Sequence, residues 1–230
     1  MSFLKNFFTK VFDEKEMTEA SSFERISNQQ LEEHMDVSQY GNFTLTDAVR
    51  PSYDLKVTPA EGYRHDEYHD KEANTVVPVV MASISKETVF EVFMEMLDPL
   101  GPVVDVVLET SHQGPQPDHE DMYREHIDIP VLKSILWDYE ELLINDGCTG
   151  IAVLNPKLCQ EVQFDEHKLL IGYGKPLVDF EEILQDHKIP HQEQIKFITE
   201  AEHVHASNET FLEKFAELKL QLGMDEMCVY

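Results

Sequence analysis

The chain is 230 residues long and carries 18 Lys and Arg against 45 Asp and Glu, a formal net charge of −27 at pH 7. Such a surface repels phosphate, so nucleic acids and anionic membranes are disfavoured as partners, whereas a basic protein or metal ions are attracted. Apolar residues at 42%, with 13 Phe and 8 Tyr, exclude global disorder, and no apolar run approaches the roughly 20 residues of a membrane-spanning helix.

Phe3, Leu4, Phe7, Phe8, Val11 and Phe12 recur at helical spacing, so the sequence predicts a short amphipathic helix over 3–12. Phe3, Phe7, Phe8 and Phe12 are candidate interaction residues, facing a partner, the chain's own domain or the mate of a homodimer. The opening Met1-Ser2-Phe3-Leu4-Lys5 does not read as a signal peptide. Cys148, Cys159 and Cys228 form no disulfide framework or CxxC pair, so a cytoplasmic setting is expected. A second helix is expected at 28–39, with Ser27 and Gln30 at capping-box spacing and Gly41 as its stop. Residues 42–75 hold Pro51, Pro59, Gly62 and many charges without a sustained period, and read as a linker or long loop. The expected division is therefore a helical arm at 1–41, a linker at 42–75 and a main domain at 76–230.

In the main domain, the near-continuous apolar run 76–84 reads as a strand buried on both faces. A helix follows at 86–97, with Val89, Phe90, Phe93, Met94 and Leu97 on its apolar face, and a second strand at 103–109. A strand, a helix and a strand in succession predict a parallel pair with a crossover. A polar loop at 110–127 and a long helix at 129–145 come next. Strands at 149–154, 160–164 and 168–173 follow, the last two joined by the turn Asp165-Glu166-His167. Helices at 177–187, 191–202 and 208–222 close the chain. The expected architecture is α/β or α+β: a mixed sheet of four to five strands, flanked by helices, with an N-terminal helical arm.

Eleven histidines are roughly twice the ordinary usage. His65 and His69 are four residues apart, so one helical turn would put both on one face as metal ligands. The stretch from Glu109 to His126 is denser. Glu109, His112, Asp118 and His119 are candidate catalytic residues, and His112, His119 and His126 candidate metal ligands, because the stretch leaves the carboxyl end of a predicted parallel strand, where α/β sheets place their sites. His203 and His205 share a face only if the chain is extended there, and their place between predicted helices reads as a turn. No Gly-rich phosphate loop and no nucleophile-elbow pattern occurs. The sequence names no cofactor; a divalent metal is the one inorganic ligand its histidine and carboxylate clusters suit.

Two functional readings follow. One is a non-catalytic, acidic interaction protein that binds a basic partner, motivated by the net charge and the Phe-rich face. The other is a small metal-assisted hydrolase using residues 109–126.

Overall fold

The computed structural model describes residues 21–24, 26–70, 75–112 and 120–224. The candidate interaction residues Phe3, Phe7, Phe8 and Phe12, and the candidates Asp118 and His119, lie outside them. The expected helix at 28–39 is α1, Asn28–Met35, and its capping box is present: Gln30 N–H donates to Ser27 Oγ, and Ser27 N–H to the Gln30 side chain. Two short strands follow, β1 (Gln39–Tyr40) and β2 (Phe43–Thr44), with Gly41 at φ 60° in the turn between them and not at a helix end.

The sheet corrects the expected architecture. Seven strands, all paired antiparallel, form one α+β layer, in place of a mixed sheet of four to five. In chain order they are β4 (Gly62–Asp70), β5 (Thr75–Ser83), β6 (Val103–Thr110), β7 (Glu120–Asp128), β8 (Thr149–Asn155), β9 (Gln160–Phe164) and β10 (Leu169–Tyr173), and in space β4-β5-β10-β9-β8-β6-β7. The expected parallel pair is β5 and β6. They run in the same direction, but β10, β9 and β8 are inserted between them, so they never touch. Local sequence reports that two strands flank a helix; it does not report that three later strands will separate them.

The two strands missing from the expectation are the edges. β4 lies inside the segment read as irregular, and β7 inside the segment read as a polar loop. Both are rich in charged and histidine side chains, and β7 is exposed along most of its length. Charge on an edge strand prevents pairing with another chain, and it also removes the apolar alternation by which a strand is read from sequence.

Helices cover one face. α2 (Val89–Met96), α3 (Ile129–Asp138), α4 (Glu140–Asn145), α5 (Val178–Asp186) and α6 (Glu209–Gln221) close the main core with inward strand residues such as Val80, Val106, Leu108, Val153, Val162 and Leu170. Leu132, Leu136, Phe93 and Phe180 are fully enclosed, each contributing about 1.5–3 kcal/mol of burial. The long helix expected at 129–145 is broken at Tyr139 (φ −118°, ψ 18°) into α3 and α4. The opposite face of the sheet carries Val79, Met81, Leu169, Ile171 and Tyr173, packed with Ile195 and Phe197.

No helix forms over 191–202. That stretch is irregular, with a 3-10 turn at Ile198–Glu200, and leads into β11 (His203–His205), which pairs antiparallel with β3 (Val49–Pro51) as a two-stranded ribbon. The ribbon docks at one end of the sheet through Gly147. Gly147 N–H donates to Ala206 O and Ala206 N–H to Ala48 O, each at 2.8 Å. A Cβ on Gly147 would stand 2.2 Å from Ala48 O, so the approach requires glycine there. Among the described residues, no helix is long and apolar enough to cross a membrane.

Candidate functional site

The docked ribbon brings His203 and His205 over the β9–β10 turn. In an extended strand, residues two apart share a face, and β11 turns both imidazoles toward His167. The turn that carries His167 is set by Asp165, whose carboxylate accepts from Leu169 N–H at 2.7 Å and lies 3.0 Å from His167 Nδ1. Lys168 closes the loop in the left-handed region, φ 65°.

The three rings stand 4.7 to 5.1 Å apart by centroid. One ring nitrogen from each lies within 4.8 Å of the other two, and the Nε2 atoms of His167 and His203 are 3.1 Å apart. Hydrogen bonding assigns the tautomers. Nδ1–H of His167 points to Asp165, that of His203 to Ala201 O at 2.9 Å, and that of His205 to Gly147 O at 2.5 Å. Each ring therefore keeps Nε2 as its lone-pair nitrogen, and those of His167 and His203 face each other.

Converging lone pairs in a half-buried cluster repel unless a cation lies among them. A proton can bridge His167 and His203. Burial opposes charge on His167, but the Asp165 carboxylate outweighs it and raises the pKa. Burial and His167 push His203 down to about 4, and lower His205 as well. A single proton serves only two of the nitrogens, whereas a metal ion serves all three. At Zn–N distances of about 2.0–2.1 Å, tetrahedral ligand nitrogens lie roughly 3.3 Å apart, close to the spacing of His167 and His203. The acceptors on Nδ1 are the partners by which metal-binding histidines are held in orientation.

Charged groups surround the cluster. Glu166, next to His167, accepts from Ser111 Oγ at 3.1 Å. Lys168 is buried, donates to Thr149 O at 2.7 Å, and has its pKa lowered to about 8 by that burial.

The residues singled out from sequence sit elsewhere. Glu109, on β6, has Oε1 buried without a hydrogen-bond partner; burial first, then Asp121 and Glu161, pushes its pKa well above the carboxylate range. His112 is just beyond β6, packed on Phe215 of α6, with Nε2 2.7 Å from Asp146. Strand alternation puts Glu109 and Thr110 on opposite faces, and Glu109 and His112 are not brought together. His126 is exposed at φ 57°, beside Glu125. His65 and His69 are on strand β4, not a helical turn; His65 pairs with Glu181 and His69 with Glu67. Four residues along a strand span roughly 13 Å, too far for one ion. His65 does approach His191, itself paired with Glu193, but this group is exposed.

The tri-histidine cluster of His167, His203 and His205 is not among the residues that the sequence singles out. Its sequence signal was the two-apart histidine pair, which carries meaning only in an extended segment. The chain matches no protein-family model, no curated protein and no solved structure.

Proposed function

We propose that this protein is a metalloprotein that holds one divalent transition-metal ion at His167, His203 and His205, with hydrolytic chemistry at a metal-bound water. The observation that carries this reading is the convergence of three imidazoles, one nitrogen of each within 4.8 Å of the other two, whose rings are each anchored through Nδ1. Neutral imidazoles suit zinc, copper, nickel or iron and not magnesium or calcium. Three protein ligands leave the fourth tetrahedral position to water, which is the ligand count of catalytic and not of closed structural zinc sites. The net charge of −27 raises the local concentration of cations. The metal-assisted reading thus keeps its chemistry and moves its ligands from residues 109–126 to the β9–β10 turn and β11.

Elemental analysis of the purified, dialysed protein tests this. About one zinc-class ion per chain is expected, and its loss in His203→Ala and His205→Ala. A wild type that stays metal-free, and takes up none from excess zinc, would overturn it. A second reading, an acidic surface that docks a basic protein, is supported by the exposed β7 edge with Glu120 and Glu125. It calls for capture of one basic partner that weakens steeply with salt.

A further inference from the structure

We infer that Ser207, His112 and Asp146 form a second, metal-independent site: a serine nucleophile with its base and an orienting carboxylate, suited to acyl transfer from small esters.

Asp146 is fully buried between α4 and β8. Its carboxylate accepts from His112 Nε2–H at 2.7 Å, from Thr149 Oγ–H at 2.5 Å and from Cys148 N–H at 3.4 Å. Burial opposes its ionisation, yet the hydrogen bonds it receives, that from His112 foremost, hold the pKa below the ordinary value. A carboxylate only accepts, so the hydrogen bond to Asp146 puts the ring N–H on Nε2 and leaves Nδ1 of His112 to accept. Facing that nitrogen, at 3.5 Å, is the hydroxyl of Ser207. The ring itself is fixed, with its side chain 5% exposed and packed on Phe215. Ser207, by contrast, is open to solvent. An exposed hydroxyl, an oriented imidazole and a buried carboxylate are the three parts of an activated nucleophile, and such hydrogen bonds are often longer before substrate binds.

Two neighbours bear on the assignment. Ser207 precedes Asn208, the N-cap of the 13-residue helix α6. Asn208 Oδ1 accepts from Phe211 N–H at 3.0 Å, and the remaining first-turn N–H groups carry partial positive charge at the helix end that follows Ser207. Cys148 is the other: its thiol lies within 4.8 Å of His112 and Asp146 as a conceivable third metal ligand. However, 2.7 Å between His112 and Asp146 is a hydrogen bond, shorter than the roughly 3.3 Å between ligands of one zinc ion. Burial also raises the Cys148 pKa, with Asp146 and Glu166 adding to the effect, so the thiol stays protonated and is the poorer nucleophile.

The chemistry balances without a co-reactant. Ser207 Oγ adds to the ester carbonyl as its proton passes to His112 Nδ1, and Asp146 balances the imidazolium. The bond to the leaving alkoxide breaks as that oxygen takes the proton from Nδ1. Water then attacks the acyl-serine, its proton passing to Nδ1 and on to Ser207 Oγ, which releases the acid.

A fluorophosphonate probe tests the site on the full chain after dialysis against EDTA. The expected result is labelling at Ser207, mapped by peptide mass spectrometry, absent in Ser207→Ala and slowed at least ~100-fold in His112→Gln. Ser207→Ala alters one exposed side chain and should fold as wild type, which circular dichroism would verify. No labelling of Ser207, labelling elsewhere, or an unchanged rate in a folded His112→Gln would each overturn the proposal. Labelling that requires added zinc would also overturn it, because the site would then belong to the metal.

Discussion

Acid should destabilise the metal-free protein through His203, and the size of the effect follows from its surroundings. Burial and the neighbouring His167 hold the His203 imidazole at about 4, below the ordinary 6.5. The unfolded chain accepts a proton that the folded chain refuses. Stability is therefore undiminished above pH 6.5 and falls as pH drops through the window from 6.5 to about 4. One unit of pH within that window is worth about 1.4 kcal/mol, so acidification from pH 7.5 to 5 should cost about 2 kcal/mol through this residue alone. His205 is shifted in the same direction. His167 is shifted upward by Asp165, so its contribution has the opposite sign, present at low pH and lost as pH rises. Urea unfolding of EDTA-dialysed wild type and His203→Ala at both pH values isolates the effect. The variant should lose about 2 kcal/mol less than wild type on acidification. Parallel losses would refute the argument that His203 is kept neutral by its neighbours. With zinc present, the wild type should become steeper in its acid response, because protons must displace the ion from its ligands.

Gly147→Ala should lower stability by about 1–3 kcal/mol and weaken metal retention, since a Cβ would stand 2.2 Å from Ala48 O and push the ribbon that carries His203 and His205 away from His167; urea unfolding and zinc titration would read both. Glu161 is fully buried, and burial raises its pKa from 4.5 to about 8, against the opposing hydrogen bond from Gln163. Its contribution to stability is present below pH 4.5 and is lost as pH rises toward 8. Glu161→Gln should therefore stabilise the protein at pH 9, with a ceiling of about 5 kcal/mol, and change little at pH 4.5; equal effects at both values in thermal melts would contradict this.

The parts of the fold legible in the sequence are those where local chemistry and burial agree. Ser27 and Gln30 announced α1, and the hairpin β9–β10 followed from the turn Asp165-Glu166-His167 between two short strand-like runs. The edge strands were hidden because edges favour charge: His65, Asp66 and Glu67 on β4 and Asp121, Arg124 and Glu125 on β7 look like loop. Strand order was hidden for a different reason. The insertion of β8, β9 and β10 between β5 and β6 is a long-range pairing choice that no local pattern encodes. The same blindness applied to the site. His203 and His205 are uninformative until the segment is known to be a strand, and His167 until β11 is known to dock on its turn. Charge composition, readable at once, gave the attraction for cations but not the place where one would sit.

X-ray absorption at the zinc edge of the zinc-loaded protein tests the central claim most directly, because it reads the ligand atoms themselves. The tri-histidine centre predicts three imidazole nitrogens and one oxygen at about 2.0–2.1 Å, with the imidazole contribution falling in His203→Ala. A sulfur shell at about 2.3 Å, which would place the ion on a cysteine, or a spectrum of zinc surrounded only by oxygen would contradict the account.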